Sequence, residues 1–169
     1  AKLSPKLGVT YALSKTSSLY SNVSQGFTPP EVSQLYGSSD IPNLKPATYD
    51  NVEVGFRSVL GYGIRLDSAL YQLDGRDTIV SFNRVNQNAG RTRSRGVELA
   101  LNQSIGSFDW LIGTNFAQHE YLSYRTSSSE DFSGKSMPSA PRQAVNARIA
   151  WKATANSRLA LQMVHVGSY

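Results

Sequence analysis

Along most of this chain apolar residues fall on every second position, not on the three-to-four spacing of an amphipathic helix. In 3–13 the odd positions carry Leu3, Pro5, Leu7, Val9, Tyr11 and Leu13, against Ser4, Lys6, Gly8, Thr10 and Ala12. The alternation returns in 18–27 (Leu19, Val23, Phe27), 49–57 (Val52, Val54, Phe56) and 64–73 (Ile64, Leu66, Leu70). It continues through Val97, Leu99 and Leu101, then 108–117 (Phe108, Trp110, Ile112, Phe116) and 144–152 (Val145, Ala147, Ile149, Trp151). Leu159, Leu161 and Met163 close the series. Residues two apart on a strand share a face. The pattern therefore predicts eight strands, each apolar on one side, and no amphipathic helix.

The links between these segments sort by length. Short ones (14–17, 59–63, about 105–108, 153–157) alternate with long ones (28–48, 75–90, 123–141) that are rich in Ser, Pro, Asn, Tyr and Arg. In an antiparallel up-and-down meander every other link lies at the same end. One end thus carries tight turns and the other long loops, the asymmetry of transmembrane β-barrels. A soluble β-sandwich also alternates, but its Greek-key crossovers break the meander and its strands average roughly 5–6 residues. Several segments here sustain about ten, enough to cross a bilayer at a tilt of about 45°.

A cationic side chain facing lipid at mid-bilayer costs roughly 2–4 kcal/mol. That cost predicts that Glu53, Arg65, Asp67, Glu98 and Arg148, each opposite an apolar stripe, look into a wet lumen. Phe108, Trp110 and Trp151 near strand ends suit an interfacial girdle. Composition agrees: charged residues are 17% and hydrophobic ones 40% of the 169, where soluble domains carry about 25% charged. Mean hydropathy is −0.33, no apolar run approaches the roughly 18 residues of a membrane helix, and no signal-peptide core opens the chain.

Candidate chemistry is sparse. The net charge is +5 and there is no cysteine, which excludes a disulfide scaffold and thiolate metal sites. His119 and His165 lack metal-ligand spacing, and no cofactor site or enzymatic motif is legible. The phosphate-loop pattern fails at "SGKS" (133–136), because position 129 is Ser129 where a glycine is required. "NAGRTRSRGVELAL" (88–101) sets Arg91, Arg93 and Arg95 against an alternating stretch. Nucleic-acid binding would need interleaved aromatic platforms, and none is present. The better reading is a strand leaving water for membrane, its arginines meeting anionic headgroups or alternately facing the lumen. Glu98 would then pair with an inward arginine such as Arg65 or Arg148.

Several stretches converge on one resemblance: "SPKLGVTYAL" (4–13), "SLYSNVSQGFTPPEVSQLYG" (18–37), "IPNLKPATYDNVEVGFR" (41–57), "NAGRTRSRGVELAL" (88–101), "MPSAPRQAVNARIAWK" (137–152) and "HVGSY" (165–169). In this order and spacing the chain resembles the second half of the barrel of a TonB-dependent outer-membrane receptor of the siderophore and iron-chelate type. The resemblance implies an all-β, roughly 22-stranded barrel in the bacterial outer membrane, of which residues 1–169 form about the twelfth to nineteenth strands. The plug domain, the TonB-contacting segment and the final strands would lie outside them. Residues 3–13 and 158–169 would then need neighbouring strands along their outer edges, because open backbone edges in hydrocarbon are costly.

It further implies active import of a ferric siderophore or similar chelate, energised through TonB acting on the plug, with outer-membrane lipid and lipopolysaccharide as surroundings. Anionic chelates call for guanidinium and aromatic partners. The long loops offer Tyr36, Arg84, His119, Tyr121, Tyr124 and Arg125 as ligand-contact candidates. The competing readings are a passive porin or adhesin-type barrel, and a soluble β-sandwich binding module.

Overall fold

The computed structural model describes residues 3–36, 43–82, 85–88, 90–125, 130–138 and 140–168. Eight strands form one antiparallel sheet: β1 (Lys6–Ala12), β2 (Ser17–Thr28), β3 (Ala47–Val59), β4 (Arg65–Arg76), β7 (Arg91–Ile105), β8 (Phe108–Ser123), β9 (Gln143–Thr154) and β10 (Ser157–Val166). Their spatial order is the chain order, β1-β2-β3-β4-β7-β8-β9-β10. The meander expected from the alternation is present.

Two features lie inside the expected loops. β5 (Ile79–Phe82) and β6 (Val85–Asn88) pair as a separate two-stranded hairpin within the 75–90 link. A single helical turn, α1 (Val32–Tyr36), interrupts the 28–48 link. Neither has an apolar stripe long enough to announce it.

β7 and β8 run to 15 and 16 residues, well past their alternating stretches. Their ladders continue through the polar sequences "RTRSR" and "QHEYLS", where backbone pairing persists although the oil has stopped. A strand of that length needs only a tight turn at its apolar end. Gly106 supplies it at φ 57, letting Ile105 face Phe108 across a two-residue link.

Register assigns the faces. Opposite partners lie on the same side of a sheet, and Asn22, Glu53, Tyr71, Gly96 and Ala117 form one transverse row. One row along on the other face come Ser21, Val54, Leu70, Val97 and Phe116. The second face carries the stripe and remains open: Leu161 is 72% exposed, Leu7 71% and Val9 63%. Among the described residues no large side chain is fully buried. An uncovered band of apolar side chains with no layer packed over it among the described residues requires a non-aqueous covering.

Candidate functional site

The polar face is built from the alternate residues of the same strands. Glu53, Arg65, Asp67, Glu98 and Arg148 all stand on it by register. Arg57 donates to Asp67 at 2.9 Å and lies 4.2 Å over the ring of Tyr20. Glu98 accepts from Asn115 Nδ2 at 2.9 Å. That replaces the expected pairing with Arg65 or Arg148, because register puts Asn115 directly opposite Glu98. Both arginines lie at least one transverse row nearer the short turns.

Tyrosines on this face lie across glycines of the next strand. Tyr20 is opposite Gly55, Tyr49 opposite Gly75 and Tyr71 opposite Gly96. At Gly75 an added Cβ would stand 3.2 Å from Tyr49 Cε1. Asn146 covers Gly113 in the same way.

On the opposite face, the apolar band gives way towards the long loops. One row runs Val23, Val52, Gln72, Arg95 and Gln118, and the next holds Gln25, Asp50, Asp74, Arg93 and Glu120. Arg93 grips Asp74 with two bonds, 2.7 and 3.0 Å, and Arg76 reaches Asp50 at 2.5 Å. These ion pairs relieve the like charges of Asp50 and Asp74, which face each other across β3 and β4. Arg95 donates to Gln118 Oε1. Arg93 and Arg95 do not face alternate sides, since both are odd-numbered and share the side of Val97.

The long-loop end has its own small core. Tyr121 and Tyr124 are each 5% exposed, with ring centroids 4.9 Å apart, and Val80, Phe132 and Met137 pack against them. Residues 130–138 fold back along β8, as Met137 N–H donates to the His119 carbonyl and Tyr121 N–H to that of Lys135. Arg125 pairs with Asp131 at 2.7 Å. Hydrogen bonds from Ser133, then Arg125, hold Asp131 far below the usual carboxylate range.

Three consecutive amides of β6 join this core to the first long loop. Asn86 Nδ2 donates to the Gln34 carbonyl at 3.0 Å, and Gln87 Nε2 to Tyr124 Oη at 2.9 Å. Asn88 accepts from Lys45 N–H at 2.9 Å and donates to the carbonyls of Lys45 and Asp77 at 3.0 and 2.6 Å. Sequence reading passed over this clasp. Its only signal was the run Asn86-Gln87-Asn88, which has the donors and acceptors to hold backbone on several sides.

The six loop candidates separate. Tyr36, closing α1, is 66% exposed, and Arg125 is exposed but ion-paired. His119 lies inside β8, its Nδ1 2.8 Å from Ser94 Oγ. Tyr121 and Tyr124 come together inside the loop core. Arg84 lies outside the described residues.

A family model described as "TonB dependent receptor-like, beta-barrel" matches residues 1–169. Among solved structures, the chain is similar to the ferric-catecholate import receptor Fiu of Escherichia coli K12, with a TM-score of 0.68 and 18% identity over 96% of this chain and 24% of that one. It is similar to a mutant of the ferric enterobactin receptor PfeA of Pseudomonas aeruginosa (TM-score 0.70, 18% identity, 97% and 27% covered). A third likeness is to the ferric yersiniabactin uptake receptor FyuA of Yersinia pestis (0.67, 20%, 94% and 24%). The chain spans about a quarter of the length of these receptors. With one apolar face, one polar face and loops sorted to a single end, it belongs to the TonB-dependent receptors, as a segment of their outer-membrane β-barrel.

Proposed function

We propose that residues 1–169 form part of the wall of a receptor that actively imports a ferric siderophore or similar metal chelate, driven through TonB acting on a plug carried elsewhere in the same receptor. The observation that carries this reading is the family match along the whole chain. Likeness to receptors for ferric catecholates, enterobactin and yersiniabactin supports the chelate class.

In this reading the apolar face meets lipid and the polar face, with Glu53, Arg65, Asp67, Glu98 and Arg148, lines the lumen. The long loops stand outside the cell, and Arg93 and Arg95 lie among lipopolysaccharide headgroups. Tyr36, Arg84, His119 and Arg125 contact ligand, whereas Tyr121 and Tyr124 hold the loops that present it. Plug and remaining strands complete the barrel along the edges of β1 and β10.

The test is uptake of radiolabelled ferric chelates by cells whose only such receptor is the whole protein, with and without TonB. Accumulation that disappears without TonB supports the reading. Uptake independent of TonB would replace it with a passive pore, and no uptake of any ferric chelate would remove the iron assignment.

A further inference from the structure

One arginine at the long-loop end lacks an acidic partner. Arg76, Arg93 and Arg125 each hold an aspartate. Arg142 donates one hydrogen bond, from Nη2 to Ser136 Oγ at 3.0 Å, and makes no ion pair among the described residues. It immediately precedes β9 and shares the parity of Asn146 and Arg148, so it stands on the polar face. Ala117 N–H donates to its carbonyl at 2.9 Å, which fixes it beside β8.

Arg142 borders a cavity of about 130 Å³, whose other polar lining is His119, Ser136 and Ser168. His119 lies two residues along β8 from Ala117 and one strand across from Arg142, which sets their backbones about 8 Å apart. Its Nδ1 meets Ser94 Oγ at 2.8 Å, and Nε2 has no partner among the described residues. With the serine hydroxyl donating to Nδ1, Nε2 carries the proton and is a donor. Ser136 arrives on the segment that folds back along β8, where Met137 N–H holds the His119 carbonyl. Ser168 follows β10 and is brought beside Arg142 by the Gly167 N–H, which donates to the Gln143 carbonyl at 2.8 Å. Three strands and a loop thus contribute to one lining. Among the described residues it contains no carboxylate and no Phe, Tyr or Trp.

We propose that Arg142, His119, Ser136 and Ser168 form a subsite for a carboxylate of the incoming chelate, which makes that chelate a ferric hydroxycarboxylate. The inference rests on the reading of the chain as part of a chelate receptor. A guanidinium presents parallel N–H groups that match the two oxygens of a carboxylate, and the imidazole N–H and the hydroxyls serve its remaining lone pairs. A catecholate needs ring surface to pack against, and Tyr121 and Tyr124 are taken up by the loop core. The bond to Ser136 holds the guanidinium in place beforehand, so little side-chain freedom is lost on binding. Identities of 18–20% to the catecholate, enterobactin and yersiniabactin receptors carry the fold; the side chains of this lining set the ligand's functional groups.

The whole receptor, in detergent, is titrated with iron(III) citrate and separately with the iron(III) complex of 2,3-dihydroxybenzoate, following quenching of its intrinsic fluorescence. The expected result is saturable binding of iron(III) citrate. Arg142→Gln weakens it about thirtyfold, as loss of a charge-assisted pair would. Arg142→Lys keeps the charge without the fork and weakens it about fivefold, and Ser136→Ala about threefold. Resistance of each variant to unfolding in cold detergent shows that its barrel is folded, and Ser136→Ala, the mildest change, tests the site independently of Arg142. Equal affinity of iron(III) citrate for the unchanged receptor and folded Arg142→Gln would overturn the proposal. If the dihydroxybenzoate complex binds and iron(III) citrate does not, the carboxylate subsite falls and the chelate-receptor reading stands. If neither binds, both fall.

Discussion

Tyr71 lies directly across from Gly96, and a methyl group on that glycine would stand 2.8 Å from the phenolic oxygen and 2.6 Å from the carbonyl oxygen of Phe116. The same relationship joins Tyr20 to Gly55 one strand pair away. The difference between the two is what crowds the missing Cβ. At Gly55 the three nearest atoms all belong to the Tyr20 ring, whereas at Gly96 backbone intrudes as well.

A coupling experiment should separate these cases. Gly55→Ala is expected to destabilise the whole receptor by about 1–3 kcal/mol, and most of that cost should vanish in a Tyr20→Ala background. Gly96→Ala should cost a similar amount with little relief from Tyr71→Ala, because the Phe116 carbonyl stays. Denaturant unfolding in detergent gives all the values needed, and equal coupling at both sites would contradict this account.

Adjacent residues on β7 should respond oppositely to charge. Leu99→Arg, on the apolar face, is expected to cost about 2–4 kcal/mol if that position lies near mid-bilayer. Ala100→Arg, one position on and opposite Asp67, should be tolerated within about 1 kcal/mol. Folded yield in membranes, read by resistance of the barrel to unfolding in cold detergent, reports both.

Removing the Asn88 amide should loosen two loops at once. Asn88→Ala takes away bonds to Lys45 and Asp77, a loss of about 1–3 kcal/mol locally. Hydrogen exchange should quicken in both the 29–46 and 77–90 links. A change confined to the hairpin would show that the first loop is held by other means.

The third loop should weaken in acid. Asp131 has its carboxyl depressed from an ordinary value of 3.8 by Ser133 and Arg125. A depressed carboxylate contributes stability that is complete above the unfolded value and is lost as pH falls towards the folded one. Protection factors in this loop, corrected for the intrinsic pH dependence of amide exchange, should therefore be steady above about pH 5 and fall below about pH 4. Asp131→Asn should remove that pH dependence.

Period-2 alternation was enough to place all eight strands, because each must keep one face in oil, and a one-residue slip would put Glu98 or Arg148 there. The upper halves of β7 and β8 were less legible: Arg93, Arg95, Gln118 and Glu120 occupy the same face as Val97 and Phe116 but carry no hydrophobic mark. Parity alone could have assigned Arg93 and Arg95 to the side of Val97, Leu99 and Leu101. The burial of Tyr121 and Tyr124 was out of reach, since it depends on Val80 and Gln87 arriving from another loop. Aromatic residues in a long link serve ligand or loop packing equally well until such a tertiary contact is known.

The length of β8 sets the height of the wall. Its 16 residues measure about 53 Å along the strand and, at a tilt of about 40°, rise about 40 Å. The hydrocarbon-facing band of such barrels is about 25 Å tall, which leaves a parapet of about 15 Å. With the long loops outside the cell, as proposed, a solute approaching the surface meets polypeptide before it reaches the plane of the membrane. Discrimination can begin there, on a rim whose foundations are continuous backbone ladder and not a fringe of separate loops.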